Sequence, residues 1–142
     1  MAEEMTREQW HAFVSEGTRT GKFAVARKDG SPHVLPVWFM LDGDDFLFNT
    51  GRETVRGRSI ARDGRGCMLV DEESPPYAFV KAEGRAEIVD DLEESLRVAT
   101  LIGGRYMGEG RAEEFGRRNA VPEELLVRFR PERVFGMLGV AD

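Results

Sequence analysis

The segment Asn49-Thr50-Gly51-Arg52-Glu53-Thr54-Val55-Arg56-Gly57-Arg58-Ser59 gathers most of the chain's chemically versatile residues. It leads from an alternating apolar run, through a glycine turn, into a helix start. Free backbone N–H groups and the positive end of a helix dipole collect at such a place, and both suit an anion. Hydroxyls at Thr50, Thr54 and Ser59 lie within it. From Gly51 to Arg65 five arginines stand against only Glu53 and Asp63, a local charge of +3 in a chain of net charge −6. Arginine presents a planar fork that matches phosphate oxygens in pairs. The segment reads as a phosphate cradle, with Arg52, Arg56 and Arg58 as its cations. Arg62 and Arg65 read instead as an exposed, solvated helix face.

Other candidates carry less. The run before Trp38 and Phe39 suits the flank of an aromatic ring, but each side chain taken singly reads as core. The backbone around Pro36 is a better ligand contact than either ring. Tyr77 follows a rigid Pro-Pro turn and suits a stacking lid or barrel packing equally. His33 reads as a satisfied or exposed histidine rather than a general base. Cys67 sits in an apolar run and reads as inert. No Ser–His–Asp or Cys–His arrangement can be nominated, so no catalytic residue is named. Two histidines and one cysteine give no metal-ligand spacing and no internal disulfide.

The elements that position these residues follow from capping and periodicity. Thr6-Arg-Glu-Gln9 is a capping box and predicts a helix over 7–16. Strands are predicted over 22–27, 33–41 and 46–50, joined by turns at Asp29-Gly30 and at Asp42-Gly43-Asp44-Asp45. Pro36 cannot donate a ladder hydrogen bond, so its strand is expected to be an edge or to open there for a ligand. Thr54 caps a helix over 55–63. Strands over 66–70 and 77–89 follow, with a bulge or crossing point at Gly84. Asp91-Leu-Glu-Glu94 starts a helix whose apolar stripe is Leu92, Leu96 and Ala99 with Leu101 or Ile102. Gly103-Gly104 should stop or kink it. A short helix over 109–119 and a last strand over 125–137 complete the chain. Short strands joined by tight turns predict an antiparallel barrel, closed or half-closed. There is no βαβ rhythm and no GxGxxG, so a Rossmann reading is poor.

The chain's 142 residues are enough for one domain, with residues 1–19 as an N-terminal helical segment. Apolar residues at 41% and charged residues at 32% describe a globular chain rather than a disordered one. The longest apolar run, Val34–Leu41, is eight residues and contains Pro36, far short of a membrane span. The acidic, polar Met1–Gln9 shows no secretory signal, so a cytoplasmic location is expected. The negative net charge argues against nucleic acid as a partner. The 17 arginines against 3 lysines point to a GC-rich source rather than to any chemistry.

His33-Val-Leu-Pro-Val-Trp38, Asp42-Gly-Asp44, Phe48-Asn-Thr50-Gly and Thr54-Val-Arg-Gly-Arg-Ser-Ile60 occur in order. Together they resemble the pyridoxamine 5′-phosphate oxidase-like split β-barrel family. Ser74-Pro-Pro-Tyr77-Ala-Phe-Val-Lys-Ala-Glu-Gly84 and Arg105-Tyr106-Met-Gly108 resemble its actinobacterial flavin/deazaflavin oxidoreductase branch, which uses coenzyme F420. The resemblance spans residues 20–137. It implies a split barrel of six to seven strands with flanking helices, FMN-binding-like in fold. It implies a homodimer with cofactor sites at the interface. Leu35, Pro36 and Val37 would lie along the flavin or deazaflavin ring, and Asn49, Thr50, Thr54, Arg56 and Ser59 would hold the cofactor phosphate. Many members have Lys where this chain has Arg56, and Arg often stands where this chain has His33. Arg52 and Arg58 would meet the phosphate or the acidic tail of F420. Tyr77 would approach the ring from the partner subunit. The activity implied is hydride transfer from reduced F420 to a small unsaturated molecule such as a quinone, an enone or a tetrapyrrole like biliverdin. An FMN flavoprotein and a non-catalytic cofactor or ligand carrier are the alternatives.

Overall fold

The computed structural model describes all residues, 1–142. Eight strands and four helices follow in the order β1 (Glu3–Glu4), α1 (Arg7–Ser15), β2 (Gly21–Ala26), β3 (Pro32–Val37), β4 (Met40–Asp42), β5 (Asp45–Gly51), α2 (Val55–Arg62), β6 (Arg65–Glu72), β7 (Ala78–Val89), α3 (Leu92–Met107), α4 (Ala112–Asn119) and β8 (Glu124–Leu138). A single 3₁₀ turn, Glu109–Arg111, links α3 to α4, so the helix expected over 109–119 starts with tighter winding.

Every strand pairing is antiparallel, and the hydrogen-bonded path runs β3-β2-β6-β7-β8-β5-β4, with β1 added on β8. The end strands β3 and β4 are neighbours in sequence, joined only by Trp38 and Phe39. The sheet therefore curls until its two edges meet through the chain without pairing, which is a split barrel. This corrects the single strand expected over 33–41. Pro36 pairs opposite Lys22 on the outermost strand, as its missing N–H requires. Beyond Val37 the chain leaves β2 and pairs with β5 instead. That change of partner, with β1, brings the strand count to eight.

Alternation explains the core. Phe46 and Phe48 of β5 pack inside the barrel with Phe23, Phe39, Met68 and Phe129. Leu47 points the other way, to a smaller cluster with Leu126, Val98 and Ile102 under α3. At Gly84 the β7–β8 register shifts, and a Cβ there would lie 2.1 Å from the Arg130 carbonyl oxygen, so the bulge needs glycine.

Helix α3 departs from expectation. It runs through Gly103 and Gly104 to Met107. Both glycines are buried against α4, where a Cβ at Gly103 would lie 2.7 Å from the Cβ of Phe115. They serve close helix–helix approach, not termination. Ser95, Val98, Ala99 and Ile102 form the buried face, whereas Leu92, Leu96 and Leu101 are exposed. The helix is rotated relative to the expected stripe because the small residues set the closest approach. Near its end the Arg105 guanidinium donates to the carbonyls of Phe39 (2.7 Å), Val14 (2.7 Å) and Gly17 (3.0 Å). It ties α1, α3 and the β3–β4 link together beside the site. No helix is long and apolar enough to cross a membrane.

Candidate functional site

Local rules build the corner where β5 hands over to α2. Thr54 is in extended geometry as the N-cap of α2. Its Oγ1 accepts from the Gly57 N–H (3.0 Å) and its hydroxyl donates to the Gly51 carbonyl (2.7 Å). This closes the turn and fixes the first turn of α2 over the end of β5. Arg56, two residues into the helix, reaches back across the corner. Its Nε donates to Thr50 Oγ1 at 2.8 Å, and Nη1 donates to the carbonyl oxygens of Pro36 (3.2 Å) and Leu35 (3.5 Å). Nη2 has no protein partner. The guanidinium thus bridges β5 to the edge strand β3 with one arm to spare.

A cleft of about 400 Å³ opens at this corner. Thr20, Pro36, Val37, Trp38, Asn49, Thr50, Gly51, Arg56, Ile102, Asn119 and Glu124 line it. That volume is in the range of small-molecule sites. Trp38 stacks on Tyr106, with centroids 5.2 Å apart and planes at 8°. The Tyr106 hydroxyl is held by donating to the Arg19 carbonyl (2.8 Å), so the aromatic wall is rigid. Asn49 is held by α3, its Nδ2 donating to Ser95 Oγ at 3.5 Å. Burial pulls the Arg56 pKa below its ordinary value, and nearby Glu124 partly opposes this. Burial pushes the Glu124 carboxyl up, and Arg56 pulls it back. Both charges are desolvated in one cleft, as expected where ligands bind rather than on a solvated face.

Of the residues expected from sequence, Pro36, Val37, Asn49, Thr50 and Arg56 meet in this cleft. Leu35 adjoins it through its carbonyl, and Thr54 builds the turn. The others lie elsewhere. Arg52 turns away, its Nε donating to the Pro122 carbonyl at 3.0 Å. Arg58 is exposed and paired with Glu53 at 3.0 Å. Ser59 is buried within α2. His33 faces Arg27, whose Nη2 lies 3.3 Å from Nδ1, and its buried Nε2 has no partner. Tyr77 follows the cis Pro75-Pro76 bond at φ 67° and lines a separate apolar hollow with Leu69, Phe79 and Val140. Within one chain it is not part of the cleft. Sequence reasoning missed Glu124 and Asn119, which come from the far end of the chain. It also read Trp38 as core, although its place directly after Val37 was a usable signal.

Residues 6–138 match the family model described as pyridoxamine 5′-phosphate oxidase. The chain belongs to the pyridoxamine 5′-phosphate oxidase family. Its expected split barrel is the observed one. No curated protein matches the chain. Among solved structures, the conserved hypothetical protein Rv2991 of Mycobacterium tuberculosis is 24% identical with a TM-score of 0.79, covering 92% of this chain and 82% of that one. A protein described as F420 reductase is 24% identical at TM-score 0.67, covering 87% and 94%. The heme storage protein HutZ of Vibrio cholerae is 18% identical at TM-score 0.75, covering 97% and 100%. At these identities the likeness establishes the oxidase-family fold.

Proposed function

We propose that this protein is an F420-dependent reductase, passing a hydride from the reduced deazaflavin to a small unsaturated organic molecule. The observation that carries this reading is the Arg56 fork, fixed by Thr50 and the Pro36 carbonyl with Nη2 left over, at the mouth of a cleft walled by Trp38. The donor set fits the group. A phosphate would be held by the Arg56 guanidinium, the polar chain of the cofactor by Asn49 and Asn119, and a flat ring by Pro36, Val37 and Trp38. The F420 reductase among the structural neighbours supports the cofactor choice.

When bound, the deazaflavin supplies a hydride to an electron-poor carbon such as that of a quinone, an enone or a tetrapyrrole like biliverdin. The chain's own work is to bind and orient. Arg56 and Thr50 would anchor the phosphate end, and the edge strand at Pro36 would carry the ring. Trp38, braced by Tyr106, would exclude water from one side. No side chain in the cleft is assigned to proton delivery, and solvent at the open side suffices.

The test is a parallel fluorescence titration with F420 and FMN, followed by oxidation of reduced F420 in the presence of quinones, enones and biliverdin. Micromolar F420 binding with negligible FMN binding, and acceptor-dependent oxidation, is the expected result. Tight FMN binding instead would assign an FMN flavoprotein. Binding without turnover across all acceptors would assign a carrier.

The reading includes a homodimer in which the Tyr77 turn of one subunit completes the site of its partner. Its support is that Tyr77 and Phe79 lie outside the cleft of their own chain, with Tyr77 exposed. Light scattering should give twice the chain mass. A monomer with full cofactor affinity contradicts it.

A further inference from the structure

The cleft contains one cation, Arg56, and one anion, Glu124. The neighbouring arginines cannot change that balance from where they stand. Arg52 is bonded to the Pro122 carbonyl, Arg58 to Glu53, and Arg62 donates to the Ala26 carbonyl at 2.6 Å. Glu124 is also fixed in place. It pairs with Gly51 as the first residue of β8, and its N–H donates to the Val121 carbonyl at 3.0 Å. The adjoining Glu123 carbonyl accepts from the Arg52 N–H at 2.8 Å. The backbone that carries this side chain sits where β8 begins and is held by the β5–β8 ladder, so the carboxyl stays in the lining of the cleft.

We infer that Glu124 is a specificity-determining residue that makes the cleft select singly charged phosphodiesters over doubly charged phosphomonoesters. This rests on the phosphate-binding reading of Arg56. A phosphodiester carries one negative charge, and Arg56 matches it. A phosphomonoester carries between one and a half and two at neutral pH, its second ionisation falling near pH 6. Its further charge adds to the repulsion that Glu124 already exerts on a monoanion, with no second cation to offset it, and like charges in a half-buried cleft repel strongly. The groups that bear on Glu124 are Arg56 from α2, Arg118 from α4 and its own neighbour Glu123. Arg118 also lies over the Phe115 ring, 5.4 Å from its centroid, and does not line the cleft. Burial raises the Glu124 pKa, which marks the carboxylate as poorly solvated where a second ligand charge would come near it.

The experiment uses two flavins that share a ring and differ by one charge: FMN and riboflavin 4′,5′-cyclic phosphate. Each is titrated by fluorescence into the wild-type protein and into Glu124→Gln at pH 7.5. The wild type should bind the cyclic diester several-fold more tightly than FMN. Glu124→Gln should tighten both ligands, FMN roughly tenfold, the order of one unit charge in a half-solvated site, and the singly charged diester by a smaller factor, so that the gap between them narrows. FMN binding that appears only in the variant also supports the inference. An unchanged FMN-to-diester ratio overturns it, as does failure of both flavins to bind either protein, because the variant relieves the proposed exclusion. F420 binding, measured separately, stands or falls on the Arg56 reading alone.

Discussion

Replacing Arg56 with alanine should weaken cofactor binding by about 1.5–3 kcal/mol, the range for a hydrogen-bonded charge, or roughly 10- to 150-fold. The loss has two sources. The phosphate loses its paired donor, and Glu124 loses the cation that offsets its burial. The remaining cleft then carries only a carboxylate and repels anions. Arg56→Lys separates charge from geometry. Lysine keeps the charge but cannot bond Thr50 Oγ1 and the Pro36 carbonyl at once as the fork does. It should recover part of the affinity but not all. Because Arg56 also braces β3 against β5, thermal unfolding of both variants should be recorded beside the titration. Unchanged affinity in folded Arg56→Ala would remove the phosphate cradle from this corner.

What the sequence revealed and what it hid divide along a physical line. Caps are local, and they were legible. Thr6 and Gln9 exchange both capping-box bonds, Asp91 accepts from the Glu94 N–H, and Thr54 caps α2. The Asp29-Gly30 turn and the Gly84 bulge were legible for the same reason, since glycine at either place answers a backbone demand. That Arg56 stands at the β5–α2 corner was legible because its bond to Thr50 spans only six residues. Glu124 was not, because its position beside Arg56 comes from the β5–β8 register, which no local pattern states. The break at Trp38-Phe39 was hidden because the run is apolar throughout while its hydrogen-bond partner changes from β2 to β5. Gly103-Gly104 misled because a glycine pair reads equally as a stop or as a close-packing surface, and only the presence of α4 decides. The exposed Leu92 and Leu96 show the same limit: periodicity finds a helix, but the small residues decided which face it buries.

Gly57→Ala should cost the fold about 2 kcal/mol and lower cofactor affinity by more than tenfold, although alanine is the better helix former. A Cβ at this position would lie 2.1 Å from the Gly51 carbonyl oxygen and 2.9 Å from that of Arg52. Both obstacles are backbone, so no side chain can swing aside. Overpacking of this kind costs about 1–3 kcal/mol. Displacing the corner also stretches the bonds of Thr54 to Gly57 and Gly51, a cap worth roughly 1 kcal/mol. The gain in helix propensity, close to 1 kcal/mol in the opposite sense, offsets only part of this. Affinity falls with stability because Arg56 precedes the displaced residue, and its reach to Thr50 and Pro36 depends on how closely α2 sits over β5. Gly110→Ala is the matched control: its Cβ would meet nothing within 4 Å. Denaturant midpoints and cofactor titrations on the two variants decide the matter. If Gly57→Ala matched Gly110→Ala in both, close approach of α2 to the β5 turn would not be what places the guanidinium.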